Sequence, residues 1–176
     1  MLLSLAFFVV VAYAGRTHTF GTYSTETDFY HFYAPDAARL AAGHMTENVY
    51  QGPGYSIALA LLTIFTGDLF LSGKWLSLVS AALVGLFAFL LFARLFNYWV
   101  GIGAQLITFA STEFAEFALS ATTDMFFLML CLACFVVFTA PQLEARWRVS
   151  ASAVLVGAAY LTRYNGLFWR RRFSAA

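Results

Sequence analysis

The chain has 176 residues, of which 61% are hydrophobic and only 11% are charged. Soluble domains carry roughly 25% charged residues, so this composition is typical of a protein embedded in a membrane. The net charge of +1 argues against a nucleic acid or another acidic polymer as partner, because binding such a polymer requires a clustered basic face.

The first apolar run, residues 2–14, is shorter than the roughly 20 residues that a membrane-crossing helix needs. We interpret it as an anchoring first helix, because several other apolar runs follow it. A cleaved signal peptide is the alternative, since Ala12-Tyr13-Ala14 resembles a signal-peptidase site.

A long polar stretch, residues 25–55, separates this first run from the rest of the sequence. It holds four of the nine acidic residues and a cluster of Phe and Tyr. We assign it to an outer loop, residues 15–53, that contains short juxtamembrane helices. The next apolar run, residues 55–66, is too short for a span and suits an interfacial or half-inserted helix.

Two aspartates of this loop are candidate site residues. Asp28 precedes an aromatic, helix-prone stretch, where its carboxylate could cap the start of a helix. Alternatively, Asp28 is a general base or a metal ligand, since both roles need a carboxylate in a cleft that partly excludes water. Asp36 follows Pro35 and fits the first turn of a helix, where a negative charge meets the positive end of the helix dipole. A structural role is therefore our first interpretation of Asp36.

Four further apolar runs follow the loop. They are residues 75–93, 100–112 with a continuation through Glu113 and Glu116, 125–140, and 149–162. Together with the first run, they predict an all-α, polytopic transmembrane helix bundle with about five spanning helices. The continuation through Glu113 and Glu116 requires that these two acids meet water or partners.

Arginines in two turns indicate the orientation of the bundle. Arg94 lies in one turn, and Arg146 and Arg148 lie in another. Because basic residues favour the cytoplasmic side, we assign both turns to that side. The polar loop, the link of residues 117–123 and the neighbourhood of Arg163 then meet at the outer face.

Charged residues at that face extend the candidate site. Asp124 follows two threonines at a helix start, so it is either a cap or a site residue at the outer mouth of a span. Arg163 either extends its side chain to water or holds a lipid phosphate. Tyr164, its neighbour, adds a hydrogen-bond donor.

Several short motifs occur in an ordered series along the chain. They are Thr27-Asp28-Phe29-Tyr30, residues 34–40 with Gly43, Gly52-Pro53-Gly54-Tyr55, Gly67-Asp68, residues 74–80, Thr123-Asp124-Met125 and residues 161–167. This order resembles the membrane glycosyltransferases of the C superfamily, particularly the dolichyl-phosphate-mannose protein mannosyltransferase and aminoarabinose transferase group. The resemblance covers the chain up to Phe168.

The resemblance implies an integral, multi-pass enzyme of the plasma membrane, or of the inner membrane in a bacterium. Such an enzyme transfers a sugar from a polyprenyl-phosphate-linked donor to a lipid, glycan or protein acceptor at the extracytoplasmic face, with inversion at the anomeric carbon. It implies that Asp28 is the catalytic aspartate, acting as general base on the acceptor hydroxyl or helping a divalent metal ion to hold the donor phosphate. Arg163 is our choice for the positive charge on that phosphate. The further candidate substrate-binding residues are Asp36, Asp124 and Tyr164.

Family members often carry two adjacent acids in the first loop, whereas Phe29 follows Asp28 in this chain. Glu26 or Asp36 would therefore have to supply the second carboxylate of a metal site. The metal ligands stay unassigned, and a divalent metal ion stays open as a cofactor.

The resemblance also bears on the extent of the domain and on rival functions. Relatives continue for several more helices, so residues 1–168 are expected to form the N-terminal part of a glycosyltransferase-like domain. Residues 169–176 are expected to be an Arg-rich tail, either a cytoplasmic anchor or the product of a truncation or a frameshift. Two other function classes stay open, a membrane transporter and a catalytically inactive fragment or assembly partner.

Overall fold

The computed structural model of the protein describes residues 1–19, 26–46 and 51–163. Every regular element within these ranges is helical, which confirms the all-α prediction. The elements are α1 (Leu2–Ala14), a 3₁₀ turn (Gly15–Thr17), a π-helical turn (Phe29–Tyr33), α2 (Ala34–Ala41), α3 (Pro53–Thr66), α4 (Leu69–Leu95), α5 (Tyr98–Ala110), α6 (Thr112–Leu119), α7 (Thr123–Phe138) and α8 (Ala145–Thr162). The Arg-rich tail lies outside the described residues.

Polar residues between the apolar runs determine where helices begin. The Asp68 carboxylate accepts a hydrogen bond from the Leu71 amide at 2.6 Å and caps α4. Asn97 caps α5 in the same way. Ser111 has an extended backbone, with φ −72° and ψ 124°, and its side chain caps α6. The chain therefore does not continue as one helix through Glu113 and Glu116, because Ser111 ends α5 and supplies the first acceptor for α6.

The helices differ in whether they can cross a membrane. Among the described residues, α4 alone is long and apolar enough to do so by itself. α6 and α7 satisfy the same requirements only as a pair, and they meet at an angle of 109°. α1, α3 and α5 are apolar but shorter. The structure thus gives one clear candidate for a spanning helix, and the polytopic bundle stays a prediction.

α4 forms the centre around which the other elements pack. On one side, its residues join α1, α6 and α7 in an apolar cluster of Val11, Leu78, Ala81, Val84, Phe114, Ala118 and Met125. A second cluster joins the π-helical turn, α2, α3 and the link between α6 and α7 through Phe29, Tyr33, Ala37, Tyr55, Leu59 and Ala121. The second cluster places the loop helices against one end of the bundle.

Hydrogen bonds and ion pairs define the two ends of the bundle. At one end, Arg94 near the end of α4 donates to the Val136 carbonyl of α7 at 2.6 Å. At the opposite end, Arg163 after α8 pairs with Asp124 in the first turn of α7. The polar loop, the link 117–123 and Arg163 therefore lie at one end, as predicted, while the side of the membrane that this end faces stays a prediction.

The close approach of α4 and α5 depends on a glycine. A Cβ atom at Gly101 would lie 2.8 Å from the Phe89 carbonyl oxygen and 2.8 Å from the Ala93 Cβ. At Gly103, on the same helix, a Cβ atom would meet no atom of the described chain within 4 Å. Replacing Gly101 therefore tests the helix contact, whereas replacing Gly103 tests only the effect of removing a glycine from a helix.

We expect Gly101→Ala to lower the free energy of unfolding by about 1–3 kcal/mol, the usual cost of overpacking. Gly103→Ala should be neutral or stabilising by up to about 1 kcal/mol, because alanine is the better helix former. Thermal unfolding of both variants in the same detergent measures the difference. Equal stability of the two variants would contradict the tight contact between α4 and α5.

Candidate functional site

A small polar cavity of about 60 Å³ opens where the loop helices meet the start of α7 and the end of α8. It is lined by Asp28, Phe29, Tyr33, Gln51, Ala121, Thr122, Thr123, Asp124 and Arg163. Three residues that the sequence singles out, Asp28, Asp124 and Arg163, meet at this cavity. Asp36 lies in the first turn of α2 and does not line it. Tyr164 lies outside the described residues.

Asp28 lines the cavity because the next residue, Phe29, is packed against α4. Phe29 is buried and meets the Phe70 ring of α4 edge-on, with 5.9 Å between the ring centroids. The Asp28 backbone is itself helical, with φ −66° and ψ −33°, and its side chain makes no cap hydrogen bond. The capping interpretation of Asp28 is therefore wrong, because an N-cap residue has a non-helical backbone. Its carboxylate is exposed and available to a ligand.

Asp124, in the first turn of α7, forms an ion pair with Arg163, the residue that follows α8. Asp124 lies at a helix start, as predicted, but Thr122 rather than Asp124 occupies the cap position. Both side chains are partly exposed to solvent. Because such a pair contributes only about 0–1 kcal/mol to stability, Arg163 can exchange its partner for a bound anion at little cost.

Tyr33 and Gln51 form a neutral hydrogen-bonded wall of the cavity. The Tyr33 hydroxyl donates to Gln51 Oε1 at 2.6 Å. Burial raises the pKa of Tyr33 to about 12, with Asp28 and Asp124 adding to the increase and Thr123 and Arg163 opposing it. The hydroxyl therefore stays protonated at neutral pH and remains a donor. Sequence reasoning missed both residues, because neither carries a charge or a motif.

Thr122 presents an unsatisfied hydroxyl in this cavity wall. The residue is 6% exposed, and its Oγ1 atom has no hydrogen-bond partner among the described residues. A buried hydroxyl without a partner costs free energy, so such a group is a candidate ligand contact. The sequence showed Thr122 only as a residue preceding a helix.

The cavity offers two carboxylates, those of Asp28 and Asp124, to a metal ion. Neither Glu26 nor Asp36, the proposed substitutes for the missing second acid, lines it. Glu26 is fully buried and accepts hydrogen bonds elsewhere. In the described ranges, no group of three or more His, Cys, Asp and Glu side chains is arranged to hold a metal ion.

The start of α3 fixes the backbone that precedes Arg163. A Cβ atom at Gly54 would lie 2.9 Å from the Leu161 carbonyl carbon and 2.9 Å from the Thr162 amide nitrogen. Only a glycine permits the two backbones to approach so closely. The turn that leaves the polar loop therefore packs directly on the last turn of α8.

An apolar groove of about 310 Å³ runs between α7 and α8. It is lined by Phe127, Leu130, Cys131, Cys134, Phe135, Leu155, Val156, Ala159, Tyr160 and Arg163. Arg163 also lines the polar cavity. One guanidinium-bearing side chain therefore lies where a polar cavity and an apolar groove meet.

Comparison with known proteins identifies the family. A family model described as dolichyl-phosphate-mannose-protein mannosyltransferase matches residues 50–169, more than half of the chain. The matched region contains Asp124, Arg163 and the apolar groove, and it begins after Asp28. No curated protein matches the chain, and no solved structure does. The chain belongs to the dolichyl-phosphate-mannose-protein mannosyltransferase family, a family of membrane glycosyltransferases of the C superfamily.

Proposed function

We propose that the protein transfers a sugar from a polyprenyl-phosphate-linked donor to an acceptor hydroxyl at the outer face of a membrane that its helices cross several times. The position of Arg163, at the junction of the polar cavity and the apolar groove, carries the proposal. A lipid-linked sugar donor has the same arrangement, with a phosphate between a polar sugar and a hydrocarbon chain. The groove between α7 and α8 would take the first part of the chain.

Arg163 and Asp28 have complementary roles in this scheme. The planar guanidinium of Arg163 binds the donor phosphate, for which its paired N–H groups are suited. The acceptor oxygen forms a bond to the anomeric carbon while the bond from that carbon to the phosphate oxygen breaks, and the electron pair leaves with the phosphate. The proton of the acceptor hydroxyl passes to the Asp28 carboxylate. Attack from the face opposite the phosphate inverts the anomeric carbon.

The other residues of the cavity position the reactants. Asp124 holds the Arg163 guanidinium in place before the donor binds. The side chains of Tyr33, Gln51 and Thr122 line the cavity, and we assign them to contacts with the sugar hydroxyls. A divalent ion, if one takes part, would be held by Asp28 and Asp124 and would supply positive charge for the leaving phosphate. Asp36 and Tyr164 stay predicted substrate-binding residues.

The direct test uses membrane vesicles that contain the full chain and a polyprenyl-phosphate mannose with a radiolabelled sugar. We expect covalent label in the lipid, glycan or protein fraction of acceptors supplied to the outer face. Accumulation of label inside the vesicles without covalent transfer would favour a transporter. The absence of both results would contradict the proposed activity.

The apolar groove can be tested separately with a bulky substitution. Val156 lines the groove and is 56% exposed, whereas Val154 on the same helix is 71% exposed and does not line it. We expect the tryptophan of Val156→Trp to displace about two methylene groups of the donor chain from the groove. Because each buried methylene contributes about 0.8 kcal/mol, KM for a long-chain donor should rise about tenfold. Measuring KM for each donor in the transfer assay gives the size of the effect.

A donor with only two isoprene units and the variant Val154→Trp are the matched controls. The short donor should keep its KM in Val156→Trp, because its chain ends before the obstruction. Val154→Trp should leave KM unchanged for both donors. An equal effect of Val156→Trp on long and short donors would contradict a role for the groove in chain binding.

A further inference from the structure

We infer that Glu26 is a positioning residue whose buried carboxylate holds the segment carrying Asp28 against the link 117–123, which directly precedes Asp124. The inference rests on the proposed function, because it assigns Glu26 a part in aligning the two sides of that site. Glu26 does not line the polar cavity. It therefore acts on the reaction through other residues and does not touch the substrate.

One carboxylate oxygen joins three separate segments of the chain. Glu26 is 0% exposed, and its Oε1 atom accepts a hydrogen bond from the Ala121 amide at 3.0 Å. The same oxygen lies 2.8 Å from Nε2 of the buried His18, which follows α1. Asp28 comes two residues after Glu26, and Asp124 comes three residues after Ala121. Glu26 thus lies close in sequence to the proposed base and contacts the link that directly precedes the partner of Arg163.

Two residues of α4, Lys74 and Gly73, contact the segments that Glu26 joins. Lys74 Nζ donates to the carbonyl oxygens of Gly15 and His18, at 2.8 Å each. One residue earlier, a Cβ atom at Gly73 would lie 2.8 Å from Phe29 Cε2 and 2.9 Å from Ala121 Cβ. All three segments that Glu26 joins therefore also contact α4.

Burial makes the Glu26 contacts costly to lose. A carboxylate removed from water is stable only when hydrogen bonds and charge compensate for its lost hydration. Without Glu26, the Ala121 amide and His18 would lose this buried partner, and the link could shift relative to Asp28. Since a misplacement of about 1 Å can cost about 10²-fold in rate, we expect a loss in kcat and little change in the donor KM.

Three substitutions separate the reach of the side chain from its charge. Glu26→Gln keeps an oxygen at the same distance and should retain kcat within about tenfold, because a neutral acceptor still binds the Ala121 amide. Glu26→Asp keeps the charge but is one methylene shorter, and Glu26→Ala has neither. We expect both to lower kcat about 100-fold per folded protein. Glu144→Gln is the matched control. Glu144 is an exposed glutamate just before α8 that pairs with Arg146.

Two further measurements distinguish positioning from a general loss of structure. Adding Glu26→Asp to Asp28→Asn should cause no further loss in kcat if Glu26 acts through Asp28, whereas a purely structural role predicts an additional loss. Independently of activity, hydrogen exchange at the Ala121 amide should accelerate at least about tenfold in Glu26→Asp, because the bond that protects it is lost. Exchange should stay slow in Glu26→Gln and Glu144→Gln.

The outcomes for the two proposals are distinct. If the unchanged chain transfers no sugar, the proposed function fails, and the Ala121 exchange alone then decides whether Glu26 holds the link. If the unchanged chain is active, a normal kcat in Glu26→Asp or unaltered Ala121 exchange in that variant would overturn the inference. A loss in Glu26→Gln as large as that in Glu26→Asp would also overturn it.

Discussion

Replacing Asp28 with asparagine should lower kcat for sugar transfer by about 10²–10⁴-fold, the usual contribution of a general base. The amide has nearly the same shape as the carboxylate but cannot accept the proton of the acceptor hydroxyl. The donor KM should change little, because Arg163 still binds the phosphate. Single-turnover transfer of radiolabelled sugar in vesicles measures the loss.

Asp28 is a favourable position for this test because its side chain is exposed and makes no cap hydrogen bond. Substitutions at such surface positions usually change stability by no more than about 0.5 kcal/mol, so the variant should unfold at the same temperature as the unchanged chain. Glu144→Gln, at the opposite end of the bundle, controls for the loss of one carboxylate. Transfer at the normal rate by Asp28→Asn would exclude Asp28 as the base.

Replacing Arg163 with alanine should lower kcat/KM by about 10²–10³-fold, comparable to the loss of one donor that stabilises charge in a transition state. The leaving phosphate then gains negative charge without a cation beside it. Arg163→Lys should recover part of the activity, because lysine retains the charge but lacks the planar pair of donors. Donor titration with the same vesicles separates the changes in kcat and KM.

Arg146→Ala is the matched control for this variant. Arg146 lies in the first turn of α8, is exposed and pairs with Glu144. The cavity lies at the other end of this helix. Arg146→Ala should leave transfer unchanged. Both variants should remain folded, because breaking a partly exposed ion pair costs only about 0–1 kcal/mol. A loss of activity of equal size in Arg146→Ala would show that the effect of Arg163→Ala is not local.

The sequence predicted most helices because apolar runs and the residues that end them are local signals. α1 has the predicted bounds, and α8 ends before Arg163, where a charge ends the apolar run. The break at Ser111 was not predicted, since a single serine inside an apolar run is compatible with a continuous helix. Its backbone conformation depends on how α5 and α6 pack around it.

The sequence likewise predicted only those residues of the candidate site that have a local signal, and missed those whose role depends on contacts with distant parts of the chain. Asp124 and Arg163 were identifiable because charges next to apolar runs require a reason, and Asp28 because it precedes an aromatic, helix-prone stretch of the polar loop. Glu26 was visible only as a possible metal ligand, because its partner, the Ala121 amide, lies 95 residues away in the sequence. Tyr33, Gln51 and Thr122 have no local feature that separates them from other polar or aromatic residues.

The contact between Gly54 and the last turn of α8 has a consequence for how such an enzyme can change its specificity. The polar loop, which carries the proposed general base, and the proposed phosphate-binding cation are attached to backbones in direct contact. A substitution that widens the loop for a bulkier acceptor would also displace Arg163. Acceptor preference and donor preference would therefore evolve together in this protein.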